Sequence, residues 1–325
     1  MPIRLTASKS STISKPKRPR YESPLLPSEA LYLKNLSESR DVKEKAARNR
    51  QEKLENLGPA SFEIGPDSNR HDLLEVMDYV QRIMWTEIPE KGLGKDLFAE
   101  TYNHRLAIPP LISLTHLQAI FPNDTTFIDR EVVKKCQGGK VRKLVINLVK
   151  GGELLIKTED YHRALEDAIE KSGDEIVKQV FKDFRALLDL KPLAVVLEAS
   201  DLVRFKPNLA ERRDLLLSSG FLTFLPGRND AFNISIPNLG MYLKLMSGSR
   251  NWVIKNLDKM KWKELLESAL LEKLEASLKT QWKDFKGCTL DWILLDCYGG
   301  GYCEPFSTPV GRGWKFVGKS NRKGK

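Results

Sequence analysis

Four cysteines and four histidines are all that this chain of 325 residues holds of the side chains that most often ligate metals or attack substrates. Cys136, Cys288, Cys297 and Cys303 form no C-x-x-C pair, and His71, His104, His116 and His162 share no metal-ligand spacing. Neither a zinc site nor a disulfide framework has a basis in that pattern. Reduced, buried thiols are expected, with no metal and no other cofactor. No run of 18 or more apolar residues exists, so no membrane-crossing helix and no membrane partner are expected. The opening stretch MPIRLTASKSSTISKPKRPR lacks the apolar segment of a secretory signal.

Acids are missing from both ends. Residues 1–20 carry six basic side chains and residues 312–325 another six, neither with an acid. Against a net charge of +10, those twelve leave −2 on residues 21–311. The excess therefore sits in two tails around a balanced body. A basic tail beside phosphates releases counterions and adds salt-sensitive affinity without choosing a sequence. Lys15, Lys17, Arg18 and Arg20 (KPKRPR) fit a nuclear import signal, and the nucleus is the expected compartment.

What is present is a repeat. Three times a short amphipathic helix runs into a two-stranded hairpin: TFIDREVVKKC (126–136) before VRKLVINL and ELLIKT, NLAERRDLLLSSG (208–220) before FLTFL and AFNISI, and TLDWILLDCY (289–298) before YCEPF and GWKFV. The hairpins start at Val141, Phe221 and Tyr302, steps of 80 and 81 residues. A helix followed by a β-wing is how a winged-helix module presents itself to nucleic acid. The expected fold is α+β and mainly α, with three tandem winged-helix units of the form helix–helix–β-hairpin. Their expected bounds are 67–172, 173–257 and 258–318, with a disordered basic tail at 1–66 and a short basic tail at 319–325.

Along the chain, residues 1–70 are rich in Ser, Pro, Lys and Arg and poor in apolar residues, as disordered segments are. Within them DVKEKAARNRQEKLEN (41–56) favours helix but has almost no apolar face. Order is expected to begin near Asp67, with helices at DLLEVMDYVQRIMW and LISLTHLQAIF and a Gly-rich loop between them. The second unit opens on the helix EIVKQVFKDFRALLDL (175–190), and Asn208 with Glu211 resembles a capping box. The third opens on KMKWKELLESALLEKLEASLK (259–279), read as one helix with a Leu266, Leu270, Leu274 stripe and a basic flank.

Several strings carry a family resemblance: IPPLISLTHLQAIFP (108–122), the Asp129–Arg130 pair, TEDY (158–161), LLSSGFLTF (216–224) and KMKWKELLESALL (259–271). In this order and spacing they resemble the serine/threonine-protein kinase 19 family over most of residues 70–318. The resemblance implies three tandem winged helices, a nuclear location, duplex DNA binding and homodimerisation. It also implies a role in transcription-coupled DNA repair beside stalled RNA polymerase and excision-repair factors.

The family name asks for a test of kinase chemistry. Phosphoryl transfer needs a phosphate cradle, a paired lysine, a catalytic aspartate and a metal-binding aspartate. No G-x-G-x-x-G occurs, since Gly92-Leu93-Gly94 lacks its third glycine and Gly299-Gly300-Gly301 runs into Tyr302-Cys303. His104-Arg105 continues to Leu106 and His162-Arg163 to Ala164, so there is no H-R-D. Asp183-Phe184 continues to Arg185 and Asp284-Phe285 to Lys286, so there is no D-F-G. No catalytic residue is assigned.

The residues expected to contact DNA phosphates are Lys140, Arg142 and Lys143 at the first wing and Arg212 and Arg213 on the second helix. Lys259, Lys261, Lys263 and Lys273 form a third patch, with Lys261 and Lys273 at positions where the family carries basic residues. No helix projects a cluster of Arg, Asn and Gln, so recognition by charge and shape is expected, with little sequence preference. Two alternatives remain open: a protein–protein docking subunit of a repair or transcription complex, and, by family name, a protein serine/threonine kinase.

Overall fold

Asp72 accepts a hydrogen bond from the Leu74 amide at 3.1 Å and starts helix α1 (Leu73–Arg82), which buries Leu73, Val76, Met77 and Val80. The computed structural model describes residues 52–60, 72–89, 94–122, 124–146 and 152–318, apart from the side chains of 278–283. Helix α2 (Lys95–Ala107) follows, and it was not expected. Its stripe of Phe98, Tyr102 and Leu106 is exposed and it buries only Thr101, so no core-facing pattern marks it. Hydrogen bonds hold it instead. Arg105 donates to the carbonyl of Lys286 at 2.8 and 2.6 Å and to that of Thr86 at 2.7 Å, with its guanidinium 4.8 Å from the Trp85 ring centroid.

From there one pattern recurs: an opening strand, helices, then a hairpin whose second strand pairs antiparallel with the opening strand. The first instance is β2 (Ile112–Ser113), α3 (Leu114–Ile120), α4 (Thr125–Gln137), β3 (Val141–Val145) and β4 (Glu153–Lys157), in the sheet order β2-β4-β3. Helices α5 (Thr158–Lys171) and α6 (Glu175–Leu190) lead to the second. It comprises β5 (Val196–Glu198), α7 (Ala199–Phe205), α8 (Pro207–Glu211), α9 (Arg213–Ser218), β6 (Leu222–Phe224) and β7 (Ala231–Ile234), in the order β5-β7-β6. After α10 (Leu239–Asp258) comes the third: β8 (Glu264–Leu266), α11 (Glu267–Phe285), α12 (Leu290–Gly299), β9 (Cys303–Thr308) and β10 (Gly311–Phe316). Its order is β8-β10-β9, with β1 (Gly58–Pro59) added outside β9. The protein is thus helix-rich, with small antiparallel sheets.

Several expectations need correcting. The opening strands were missed because two or three residues are too few to show alternation. β8 in particular interrupts the single helix expected from residue 259. Order reaches further back than Asp67, since Leu57 N–H donates to Ser307 at 2.9 Å and Gly58 pairs with Ser307. Residues 52–57 carry no helix, and the rest of the expected 41–56 helix lies outside the described residues. The helix expected over 208–220 is broken at Arg212 (φ −105°, ψ 20°) into α8 and α9, and Asn208 accepts from Arg212 Nε at 3.1 Å rather than capping. Helix α12, expected to present itself to nucleic acid beside the third wing, buries all but Asp291, Tyr298 and Gly299. It is the core of the protein and has no face to offer a DNA groove.

That burial follows from what surrounds α12. Gly299 meets α3 so closely that an added Cβ would stand 1.8 Å from the Thr115 carbonyl oxygen. Asp296, 2 % exposed, accepts from Arg250 of α10 through Nε and Nη2, both at 2.8 Å, from Thr115 Oγ1 at 2.6 Å and from Ser113 Oγ at 3.4 Å. His116 sits beside this cluster with its ring 5.0 Å from Trp292. Ser113 N–H donates to its Nδ1 at 3.3 Å, which leaves the proton on Nε2, 3.2 Å from the Trp292 carbonyl. Burial lowers the pKa of His116, with Asp296 opposing, so it is held neutral. One polar network therefore joins the first and third sheets through α3, α10 and α12. The second sheet joins the first through Tyr161 Oη, which donates to the Ser235 carbonyl at 2.8 Å.

Candidate nucleic-acid interface

Nine basic residues were expected to line the surface, and eight are at least partly exposed. Arg142 is not. It is 2 % exposed, donates Nη2 to the Leu188 carbonyl at 2.8 Å and lies 5.7 Å from the Tyr161 ring centroid. Burial lowers its pKa, with Tyr161 opposing. The strand period explains the correction. Arg142 shares a face of β3 with Leu144, which is fully buried, while Val141 shares the other face with Lys143 and Val145; the Arg142 side chain is therefore covered, between Tyr161 and the Leu188 carbonyl. Its role is to hold the hairpin to α6.

The other first-wing residues are weaker than the sequence implied. Lys140 is exposed at the start of β3, while Lys143 is paired with Glu153 at 2.7 Å across the hairpin. The end of β3 is not a free wing either. Val145 and Ile146 share a cleft of about 400 Å³ with Thr223, Phe224 and Asn233 of the second sheet. Arg212 and Arg213 stand at the break between α8 and α9. Arg213 is exposed, 5.9 Å from the Phe232 ring centroid and 3.9 Å from Asp214.

Lys259, Lys261 and Lys263 fall in one tight turn between α10 and β8, and Lys273 lies on α11. The turn is pinned at several points. Met260 N–H donates to Leu257 at 3.1 Å, Lys263 N–H to Met260 at 3.2 Å, and Phe316 N–H to the Lys263 carbonyl at 3.0 Å. Lys263 adopts φ +56°, uncommon for a residue with a Cβ. Its ammonium is 3.2 Å from Asp258 and 5.3 Å from the Phe316 ring, so much of its charge is spent locally. Lys259 and Lys261 are exposed. Two further residues belong here that sequence reasoning did not assign to the site. Lys315 is exposed on β10 opposite Glu264, and Trp262 is 42 % exposed with Lys261 Nζ 5.1 Å from its ring centroid. The signal for Trp262 was present in the string Lys-Met-Lys-Trp-Lys, where an aromatic is interleaved with lysines. β10 leads directly to the basic residues 319–325, which lie outside the described residues, as do Lys15, Lys17, Arg18 and Arg20.

Of the two kinase look-alikes, Asp183 has a structural duty and Asp284 is exposed. Asp183 is 5 % exposed on α6 and accepts from Lys206 Nζ and Gln179 Nε2, both at 2.7 Å. Asp284 lies near the end of α11, and the neighbouring Lys286 ammonium is 2.6 Å from Glu100. All four cysteines are free and buried, as expected, and burial raises the pKa of Cys136 and Cys288. Among the described residues no helix is long and apolar enough to cross a membrane.

Comparison with known proteins agrees with the resemblance carried by the sequence strings. The serine/threonine-protein kinase mug51 of Schizosaccharomyces pombe (strain 972 / ATCC 24843) is 30 % identical over 217 residues, which cover 65 % of this chain and 68 % of that protein. A family model described as inactive serine-threonine protein kinase 19 matches residues 81–316, from the end of α1 to the end of β10. The chain belongs to the inactive serine-threonine protein kinase 19 family.

Proposed function

We propose that this chain is a nuclear DNA-binding scaffold without phosphoryl-transfer activity, built from three fused winged helices and serving transcription-coupled repair. The unit bounds 67–172, 173–257 and 258–318 serve the reading, with residues 58–60 joining the third sheet. The strand–helices–hairpin order in all three units supports it. The observation that carries the DNA-binding part is the basic edge of the third unit. There the pinned turn with Lys259 and Lys261 is hydrogen-bonded to β10, the strand that bears Lys315 and leads into the acid-free tail. Lys140, Arg212, Arg213 and Lys273 are candidate further phosphate contacts, and Arg142 is withdrawn. Stalled RNA polymerase, excision-repair factors and a second copy of the chain are candidate partners by family resemblance. The relative's kinase name does not carry over, because Asp183 is committed to Lys206 and Asp284 lacks the glycine that follows the metal-binding aspartate in kinases.

Titration of the full chain with duplex DNA at two salt concentrations tests this. Affinity is expected to fall with salt by about 0.9 log–log units per phosphate contact and to vary little with sequence. Replacing Lys259, Lys261, Lys263 and Lys273 together by glutamate is expected to weaken binding while thermal unfolding shows a folded protein. Normal binding by that variant would remove the third unit from the site.

A docking reading is favoured by a different observation. Phe98, Tyr102 and Leu106 are 40 %, 51 % and 68 % exposed at i, i+4 and i+8 along α2. Such a stripe fits a protein partner better than a phosphate backbone. Under it, replacing these three residues would abolish complex formation and leave DNA titrations unchanged.

A further inference from the structure

We propose that the turn at 259–263 is a stacking site for unpaired nucleobases, with Trp262 as the platform, so that this edge prefers opened or single-stranded nucleic acid to intact duplex. This rests on the nucleic-acid reading above and narrows it.

Trp262 differs from the tryptophans of the core. Trp292 and Trp314 are 1 % and 0 % exposed, whereas Trp262 is 42 % exposed in a turn of charged residues. Burying a tryptophan is one of the largest gains a side chain offers a fold, and Leu265, three residues on, and Leu270 do reach the core. The turn's own backbone keeps the indole out. Lys263 holds a left-handed φ of +56°, and hydrogen bonds from Lys263 to Met260 and from Phe316 to Lys263 clamp both sides of Trp262. A residue with a Cβ held in that region needs support from its surroundings, and an observed case is a legitimate start for a functional hypothesis. Here the support comes from Asp258 and Phe316 against the Lys263 side chain.

The chemistry around the ring fits one ligand class. Binders of single strands combine lysines or arginines that follow the backbone with an aromatic face on which a base stacks. Lys259 and Lys261 precede Trp262 by three residues and one, both exposed, and Lys315 stands on the neighbouring strand. In intact duplex the π-faces of the bases are occupied by their neighbours, so an exposed indole gains nothing from them. Unpaired bases, in a bubble, a frayed end or a free strand of DNA or RNA, present that face.

The test uses the full chain and four labelled oligonucleotides of one sequence: duplex DNA, the same duplex with a central unpaired bubble, single-stranded DNA and single-stranded RNA. Trp262→Ala is expected to weaken binding to the bubble and single strands by about 5- to 150-fold, the range that one base–aromatic stack supplies, and to weaken duplex binding by a clearly smaller factor. Trp262→Phe, which keeps a stacking face and guards against a folding artefact, is expected to restore most of the loss. Equal losses on DNA and RNA strands support generic base stacking, and a loss on one alone supports the proposal with that polymer as the source. Equal weakening of all four ligands by Trp262→Ala, or none, overturns the stacking proposal while the duplex-binding reading stands. If the wild-type chain binds none of the four at low salt, both fall.

Discussion

Replacing Arg250 by methionine takes away two of the four hydrogen bonds that Asp296 accepts and leaves its carboxylate in the core with Thr115 Oγ1 at 2.6 Å and Ser113 Oγ at 3.4 Å. Asp296 is 2 % exposed and the Arg250 side chain 14 %, so neither charge has water to fall back on. Removing one partner of such a buried pair costs about 3–5 kcal/mol, mostly the desolvated charge left behind. Against a usual total of about 5–15 kcal/mol, that is a large fraction of the stability. Asp296→Leu is expected to lose a similar amount, because it strands the guanidinium between α10 and α12. The double variant, Arg250→Met with Asp296→Leu, buries no charge and is expected to lose less than either single variant. Urea unfolding at pH 7, followed by tryptophan fluorescence, measures all four proteins of the cycle. The reasoning fails if either single variant loses under about 1 kcal/mol, the range of an exposed pair, or if the double variant loses the sum of the two singles, the mark of independent sites.

Gly299→Ala is expected to destabilise by more than the 1–3 kcal/mol or so typical of overpacking, because the new Cβ would meet backbone at Thr115, which cannot rotate away; urea midpoints check it. Arg142→Ala is expected to lose about 1.5–3 kcal/mol through its charged hydrogen bond to Leu188. The folded variant should bind duplex DNA as the wild type does, and a selective loss of affinity would return Arg142 to the interface. For pH, the folded-state pKa of His116 is lowered by burial, so below about 6.5, its unfolded value, the unfolded chain binds a proton that the folded one refuses. Its contribution is therefore present above that pH and lost as pH falls toward the folded pKa, by at most about 1.4 kcal/mol per pH unit. The pH dependence of unfolding between 5 and 7 should flatten in His116→Gln, and an unchanged slope would refute the assignment.

Local physics made much of this protein legible before any coordinates. Helix α6 runs over 175–190 as its apolar spacing and Asp174 cap demand, and the three hairpins lie where alternation and turn residues put them. These features are written in residues a few positions apart, so a sequence shows them directly. The family could also be read, because its strings keep their order over most of the chain. Which faces of those elements meet water is a different matter. Arg142 has the charge of a surface residue but shares a strand face with Leu144 and is buried against α5 and α6, while TLDWILLDCY has the length of a recognition helix and becomes a buried core helix. One hint was available there: an acid within so apolar a run needs a buried partner, yet nothing local names Arg250, 46 residues away. The basic turn shows the same division. Its lysines and Trp262 are plain in the sequence, but their shape depends on Phe316, 53 residues beyond Lys263, donating a hydrogen bond to close the turn. Secondary structure here follows from neighbours along the chain, whereas burial, charge pairing and the presentation of Trp262 follow from contacts that form only when distant segments pack.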